Sequence, residues 1–201
     1  TDACTTGDLY FSTISDAVAN ANNGDTIIVC PGTYNENVDV DKSLEIRSYS
    51  QNPSDTIVKA NNSNDHVFYV TADNVTISGF TVTGATGTGK AGIYLHNSNN
   101  SRIENVNASN NGYGIYLWHS SNNTIYNNTA NSNNIGIKLK SSSNNSLLNN
   151  SASNNYGGIA LYNSSNNNLF NNNISNSKTG FAGIDLQYFS VKNYIINNKI
   201  I

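Results

Sequence analysis

The sequence predicts an all-β fold, a single-stranded parallel β-helix of about seven coils with a capping helix at its N-terminal end, and three observations predict it. A glycine-led tetrad recurs at Gly92, Gly114, Gly136, Gly158 and Gly183, three times at a spacing of 22 and once at 25. A fixed period in the twenties marks a solenoid. The tetrads read GIYL, GIYL, GIKL, GIAL and GIDL, so apolar and variable residues alternate as on a strand with one buried face. Between the strands stand asparagine-rich turns such as SSNN, and asparagine tolerates the left-handed backbone that a sharp corner demands. A leucine-rich repeat shares the period, but its LxxLxLxxN pattern is absent. No helix fits a 22-residue coil with three polar corners.

Residues 1–24 read as the capping segment. Within STISDAVANANNGD, Thr13 and Asp16 suit a capping box, Ile14, Ala17, Val18 and Ala21 share the inward face, and Asn23-Gly24 ends the helix. The only cysteines are Cys4 and Cys30. A disulfide between them would pin the helix to the first coil and add about 3 kcal/mol in the chain-entropy model; two buried free thiols are the alternative. No CxxC spacing points to a metal. Residues 25–91 form irregular first coils, with Val38 and Val40, Phe68 and Val70, and VTISGFTV (Val75 to Val82) repeating the two-strand pattern. Residues 92–201 are the regular coils, and the whole is one domain.

In those coils the inward columns are Ile93, Ile115, Ile137, Ile159 and Ile184, with Leu95, Leu117, Leu139, Leu161 and Leu186 beside them. A second strand supplies Ile103, Ile125, Leu147, Leu169 and Ile195, then Ala108, Ala130, Ala152, Ile174 and Ile200. Between these two columns lie Val106, Asn128, Asn150, Asn172 and Asn198. Stacked about 4.8 Å apart, these asparagines can pass side-chain amides from coil to coil, which satisfies groups that burial would otherwise orphan.

Composition narrows the function. With 11% charged residues and a net charge of −3, the chain has no polyanion-binding balance, so nucleic acid is not an expected partner. The 37% hydrophobic content at fixed intervals excludes a disordered polar tract. No apolar run is long enough to span a bilayer, and the lack of methionine even at position 1 fits removal of a signal peptide. From position 74 onward the only acids are Glu104 and Asp185, several coils apart, so they form no catalytic dyad. Glu36, Asp39, Asp41 and Glu45 read as a solvated edge. His66, His96 and His119 read as surface histidines. GATGTGKAG (Gly84 to Gly92) lacks the phosphate-loop spacing and reads as an excursion between coils. No catalytic residue, metal or cofactor is expected.

The run STISDAVANANNGDTIIVCPGTYNENVDVDKSLEIRS, followed by NVTISGFTV and the GIYL and NNTI coils, resembles the right-handed parallel β-helix proteins of the pectin-lyase-like group. Within that group it is most similar to the NosD-like β-helix-repeat surface proteins common in methanogenic archaea. The resemblance covers nearly the whole chain and implies the fold. The group includes polysaccharide lyases, hydrolases, epimerases, adhesins and envelope proteins, so it does not choose a function. A role in metal maturation is disfavoured by the absence of methionine and of paired Cys or His ligands.

Function is therefore sought on outward faces. Beside the GIYL columns, Tyr69, Tyr94, His96, Tyr116, Trp118, Lys138, Lys140 and Tyr162 point to solvent as an aromatic and basic face. On the second strand Glu104, Tyr126, Leu148, Phe170 and Ile196 line an apolar column, which predicts lateral packing against another chain. NYIINNKII ends without a polar cap, so either the chain is cut from a larger protein or a subunit covers that edge. Sequons begin at Asn61, Asn74, Asn99, Asn107, Asn122, Asn127, Asn144, Asn149, Asn163 and Asn173. The expected function is a non-enzymatic, extracellular structural β-solenoid, a cell-surface, sheath or filament subunit that associates with itself through these faces or end to end. The alternatives are a glycan-binding adhesin using Tyr94, Tyr116 and Trp118, and a polysaccharide lyase, hydrolase or epimerase of the same fold.

Overall fold

The computed structural model describes residue 4 and residues 9–178 and 182–201. It is a right-handed parallel β-helix of about seven coils with one short helix. Every paired strand is parallel to its neighbour one coil away. A long sheet has seven strands, including Ala91–His96, Tyr113–Trp118, Ile135–Lys140 and Gly157–Tyr162. A short sheet has eight, including Arg102–Glu104, Thr124–Tyr126, Ser146–Leu148 and Asn168–Phe170. The third side is thin: Gly32–Asn35, Thr56–Lys59 and Thr81–Thr83 pair at the N-terminal end, after which single bridges run Thr81, Asn107, Thr129, Ser151, Asn173.

The registers place Ile93, Ile115, Ile137, Ile159 and Ile184 in one column and Ile103, Ile125, Leu147, Leu169 and Ile195 in another. These fill a single continuous core, and from Ile93 to Leu169 all are fully buried. In the last described coil the inward residues Leu186, Ile195 and Ile200 are partly exposed. The glycine that opens each tetrad sits where the long sheet approaches the alanine column. A Cβ on Gly114 would stand 2.5 Å from Gly136 O and 2.8 Å from the Ala130 Cβ.

The corners follow one rule. A residue with positive φ comes first and an inward polar residue follows it. In one coil these pairs are His119 (φ 50) and Ser120, Asn122 (φ 61) and Asn123, Asn127 (φ 54) and Asn128, and Ser132 (φ 57) and Asn133. The expected ladder runs through Asn128, Asn150, Asn172 and Asn198. Asn128 Nδ2 donates to Asn150 Oδ1 at 3.1 Å and back to Ile103 O at 2.9 Å, while its Oδ1 accepts the Val106 N–H at 2.9 Å. Asn150 and Asn172 repeat the pattern. Two further ladders, not foreseen, run through Asn123, Asn145, Asn167 and Asn193 and through Asn111, Asn133 and Asn155. A serine ladder joins Ser98, Ser120, Ser142, Ser164 and Ser190.

The helix spans Ile14–Asn20 and buries Ile14, Ala17 and Val18. Thr13 Oγ1 accepts the Asp16 N–H at 3.0 Å, which is half of a capping box. The helix stops at Asn20, earlier than Asn23-Gly24, because Ala21 already takes an extended backbone. Glu36 is not a solvated edge residue: its carboxylate accepts the N–H groups of Ile14 and Ser15 at 3.0 and 2.9 Å. Cys4 and Cys30 form a disulfide. Of the capping segment, residues 1–3 and 5–8 lie outside the described residues.

Candidate functional site

The long sheet carries the first candidate surface. Its registers place Asp39, Tyr69, Tyr94, Tyr116, Lys138, Ala160 and Asp185 in one outward column. His96, Trp118, Lys140, Tyr162 and Gln187 form the next. A strand spacing of about 4.8 Å is close to the separation of stacked rings, so aromatic residues on successive coils lie face to face. Tyr94 stacks on Tyr69 (5.4 Å between centroids) and on Tyr116 (4.9 Å). His96 stacks on Trp118 at 4.9 Å, and the Lys140 ammonium lies 5.2 Å from the Trp118 ring. Lys138 stands over Tyr113, Tyr116 and Tyr162 and donates to the Tyr113 hydroxyl at 3.2 Å.

This corrects the expectation that the tyrosines face solvent. Tyr94 and Tyr116 are only 7% and 9% exposed and form a small apolar cluster with Ala91 outside the coil core. Burial pushes the Tyr94 phenol well above its usual range, helped by Tyr116 and Tyr69, and pushes Tyr116 up to about 12, helped by Tyr113. Tyr69, Tyr113, His96, Trp118, Lys138 and Tyr162 are half-buried, and Lys140 is exposed.

His66 is likewise not a surface histidine. It is buried, stacks on Tyr94 at 4.3 Å, and its Nδ1 accepts the Ala91 N–H at 3.0 Å. Burial, with the nearby Lys90 cation, lowers its pKa to about 4. Sequence reasoning had no signal for this, since a lone histidine before a strand carries none. His96 Nδ1 meets the Tyr69 hydroxyl at 2.9 Å.

The short sheet carries the second candidate column: Glu104, Tyr126, Leu148 and Phe170 are half-buried and Ile196 is exposed. Arg102 pairs with Glu104 and lies 5.3 Å from the Tyr126 ring. Apart from Asp39, Asp41 and Asp65, the carboxylates singled out in the sequence do not converge. Glu36 caps the helix, Glu45 pairs with Arg47 at 3.4 Å, Glu104 sits on the short sheet and Asp185 on the long one. Asp39 lies near Asp65 and Asp41, and its pKa is raised by burial and by those two neighbours. Glu36, Glu45, Glu104 and Asp185 stand on separate elements and form no dyad with one another.

A solenoid of this topology, with its aromatic residues stacked along the rod, is a right-handed parallel β-helix protein. Residues 18–201 match the family described as periplasmic copper-binding protein (NosD), and the chain belongs to that family. The cell surface glycoprotein of Methanothermus fervidus is 33% identical over 102 residues, which cover 50% of this chain and 16% of that protein. Among solved structures, the alginate lyase from Paenibacillus superposes with a TM-score of 0.61 at 15% identity, covering 92% of this chain and 91% of the lyase. The periplasmic alginate epimerase AlgG gives 0.64 at 18% identity, covering 89% of this chain and 44% of the epimerase. The Escherichia coli protein ybhc gives 0.62 at 12%, covering 100% and 84%. At these identities the likeness is one of fold.

The family description implies copper, and the donor set tests it. Copper sites draw on thiolate, thioether and imidazole ligands. The sequence has no methionine, both cysteines are tied in the disulfide, and the Nδ1 atoms of His66 and His96 are already hydrogen-bonded. No group of three or more His, Cys, Asp or Glu side chains gathers among the described residues. The residues present do not fit a copper centre.

Proposed function

We propose that this chain is a non-catalytic structural module of an extracellular cell-surface protein, which associates laterally with copies of itself through the long sheet. One observation carries the reading: the π faces of Tyr94, Tyr116 and Trp118 are covered by neighbouring coils or by Lys138 and Lys140, so they serve the rod itself. A ring covered on both faces offers none to a sugar, which weighs against the adhesin reading. The relative named as a cell surface glycoprotein and the disulfide favour an extracytoplasmic setting.

Dimensions favour the long sheet over the short one. Six-residue strands on four coils make the long sheet a face about 20 Å wide there, with shorter strands continuing it at both ends. The three-residue strands of the short sheet offer about half of that. In an antiparallel pair centred on Tyr94, Tyr116 of one copy lies opposite Tyr69 of the other, and Lys138 opposite Asp39. Lys138→Asp or Asp39→Lys alone should therefore lower the sedimentation-measured association constant about tenfold, and the double exchange should restore it. A wild-type protein that stays strictly monomeric at high concentration, or a double exchange no better than the singles, sinks the proposal.

A further inference from the structure

We propose that Asn122, Asn127, Asn144 and Asn149 carry N-linked glycans that line both edges of the short sheet, an inference that rests on the surface reading above. The corner rule sorts the asparagines of each NN pair. In Asn122-Asn123-Thr124 and Asn127-Asn128-Thr129 the first asparagine has positive φ and is exposed, while the second is buried in a ladder. Asn144-Asn145-Ser146 and Asn149-Asn150-Ser151 repeat this one coil later. In all four the sequon begins on the exposed residue, and no asparagine of the three ladders begins a sequon. The four exposed carboxamides make no side-chain hydrogen bond, so Nδ2 is available without breaking a structural contact. By contrast Asn99 Nδ2 is tied to Asp73 at 3.2 Å, and Asn107 Oδ1 accepts from Ser109 at 2.6 Å.

The chemistry is transfer from a lipid-linked oligosaccharide. The asparagine Nδ2 bonds to the anomeric carbon of the first sugar, the bond from that carbon to the lipid phosphate oxygen breaks, and the amide proton leaves with the departing phosphate. Placement gives the glycans a consequence. The two ridges are five residues apart along the chain, at most about 17 Å, and between them lie Tyr126 and Leu148, half-buried on the sheet. Sugars leaving both ridges would overhang this apolar column, on the narrower of the two sheet faces. The long sheet stays open for association.

The test is glycopeptide mapping and intact mass of the protein isolated from its native envelope. Thr124→Ala, Thr129→Ala, Ser146→Ala and Ser151→Ala each abolish one sequon yet leave the corner asparagine in place. Each is expected to remove the mass of one glycan, and the quadruple variant all four, with the circular dichroism spectrum unchanged. Asn128→Gln, a ladder change, should lower the melting temperature and leave the glycan count as it was. Unmodified peptides at all four positions overturn the proposal. If surface proteolysis still reaches that unmodified protein, the surface reading stands alone; if it does not, both fall.

Discussion

Asn149 and Asn150 stand side by side and do opposite work. Asn149 turns a corner at φ 57 with its side chain in solvent. Asn150 is 1% exposed and its carboxamide bonds Asn128, Ile125 and Asn172. Truncating Asn150 to Ala orphans a buried carbonyl and a buried N–H at once, so it should cost about 3–5 kcal/mol. Asn149→Ala should cost about 1 kcal/mol, because asparagine tolerates the left-handed region better than alanine. Urea unfolding of the two variants checks this, and equal costs would refute the corner rule. The sequence showed the Asn128 ladder because apolar columns flank it on both sides. It hid the Asn123 and Asn111 ladders because a repeat of 22 does not say which member of an NN pair turns inward. His66 makes a second residue-scale prediction. Its pKa of about 4 lies below the ordinary 6.5, so the fold holds it neutral while the unfolded chain takes up a proton. Stability from this group is complete above pH 6.5 and declines as pH falls toward 4, by up to about 3 kcal/mol. His66→Gln should flatten that part of a melting-temperature profile, and an unchanged slope would argue against the buried neutral ring.

At the scale of elements, the helix shows how a short segment is held. Seven residues are too few for a stable helix in isolation. The first coil supplies a charge at each end: Glu36 accepts from the first N–H groups, and Lys42 Nζ donates to the carbonyls of Val18 and Ala19 at 2.9 and 2.8 Å. Both charges oppose the partial charge of the terminus they meet. Glu36→Gln keeps one acceptor oxygen and should cost about 1 kcal/mol, whereas Glu36→Ala should cost about 2 kcal/mol. Amide exchange across Ile14–Asn20 reads the effect directly, and protection unchanged in Glu36→Ala would show that apolar burial alone docks the helix. The helix itself was legible from its period and from Thr13. The clamp was not, because Glu36 and Lys42 are distant in sequence from the ends they meet. The aromatic columns were legible in the same partial way: alternation placed the rings outward, but only the coil spacing decides that they cover one another.

For the whole molecule, each coil touches mainly the coils before and after it, with Asn105 Nδ2 reaching two coils back to Gln51 O, so stability is close to a sum of coil terms and nearest-neighbour contacts. The glycine column is where that coupling has no slack. A Cβ on Gly136 would meet the Ala152 Cβ, Asn155 Nδ2 and Gly158 O, each at 2.8 Å. Two of these contacts belong to the next coil, so relief requires that coil to move away and strains the Asn133 to Asn155 ladder bond of 2.7 Å. Gly157, one residue before the glycine of the next tetrad, has no atom nearer than 3.7 Å to its added Cβ and lacks positive φ. Gly136→Ala should therefore destabilise by more than about 2 kcal/mol, as overpacking against backbone does. Gly157→Ala should be neutral or slightly stabilising through the unfolded state. The loss should also be local. Amide exchange in Gly136→Ala is expected to accelerate in strands Tyr113–Trp118, Ile135–Lys140 and Gly157–Tyr162, while Val38–Val40 and Phe68–Val70, several coils away, keep their protection. Uniform acceleration along the rod would mean that the solenoid unfolds as one cooperative block, and that the ladders transmit strain far beyond the adjoining coil.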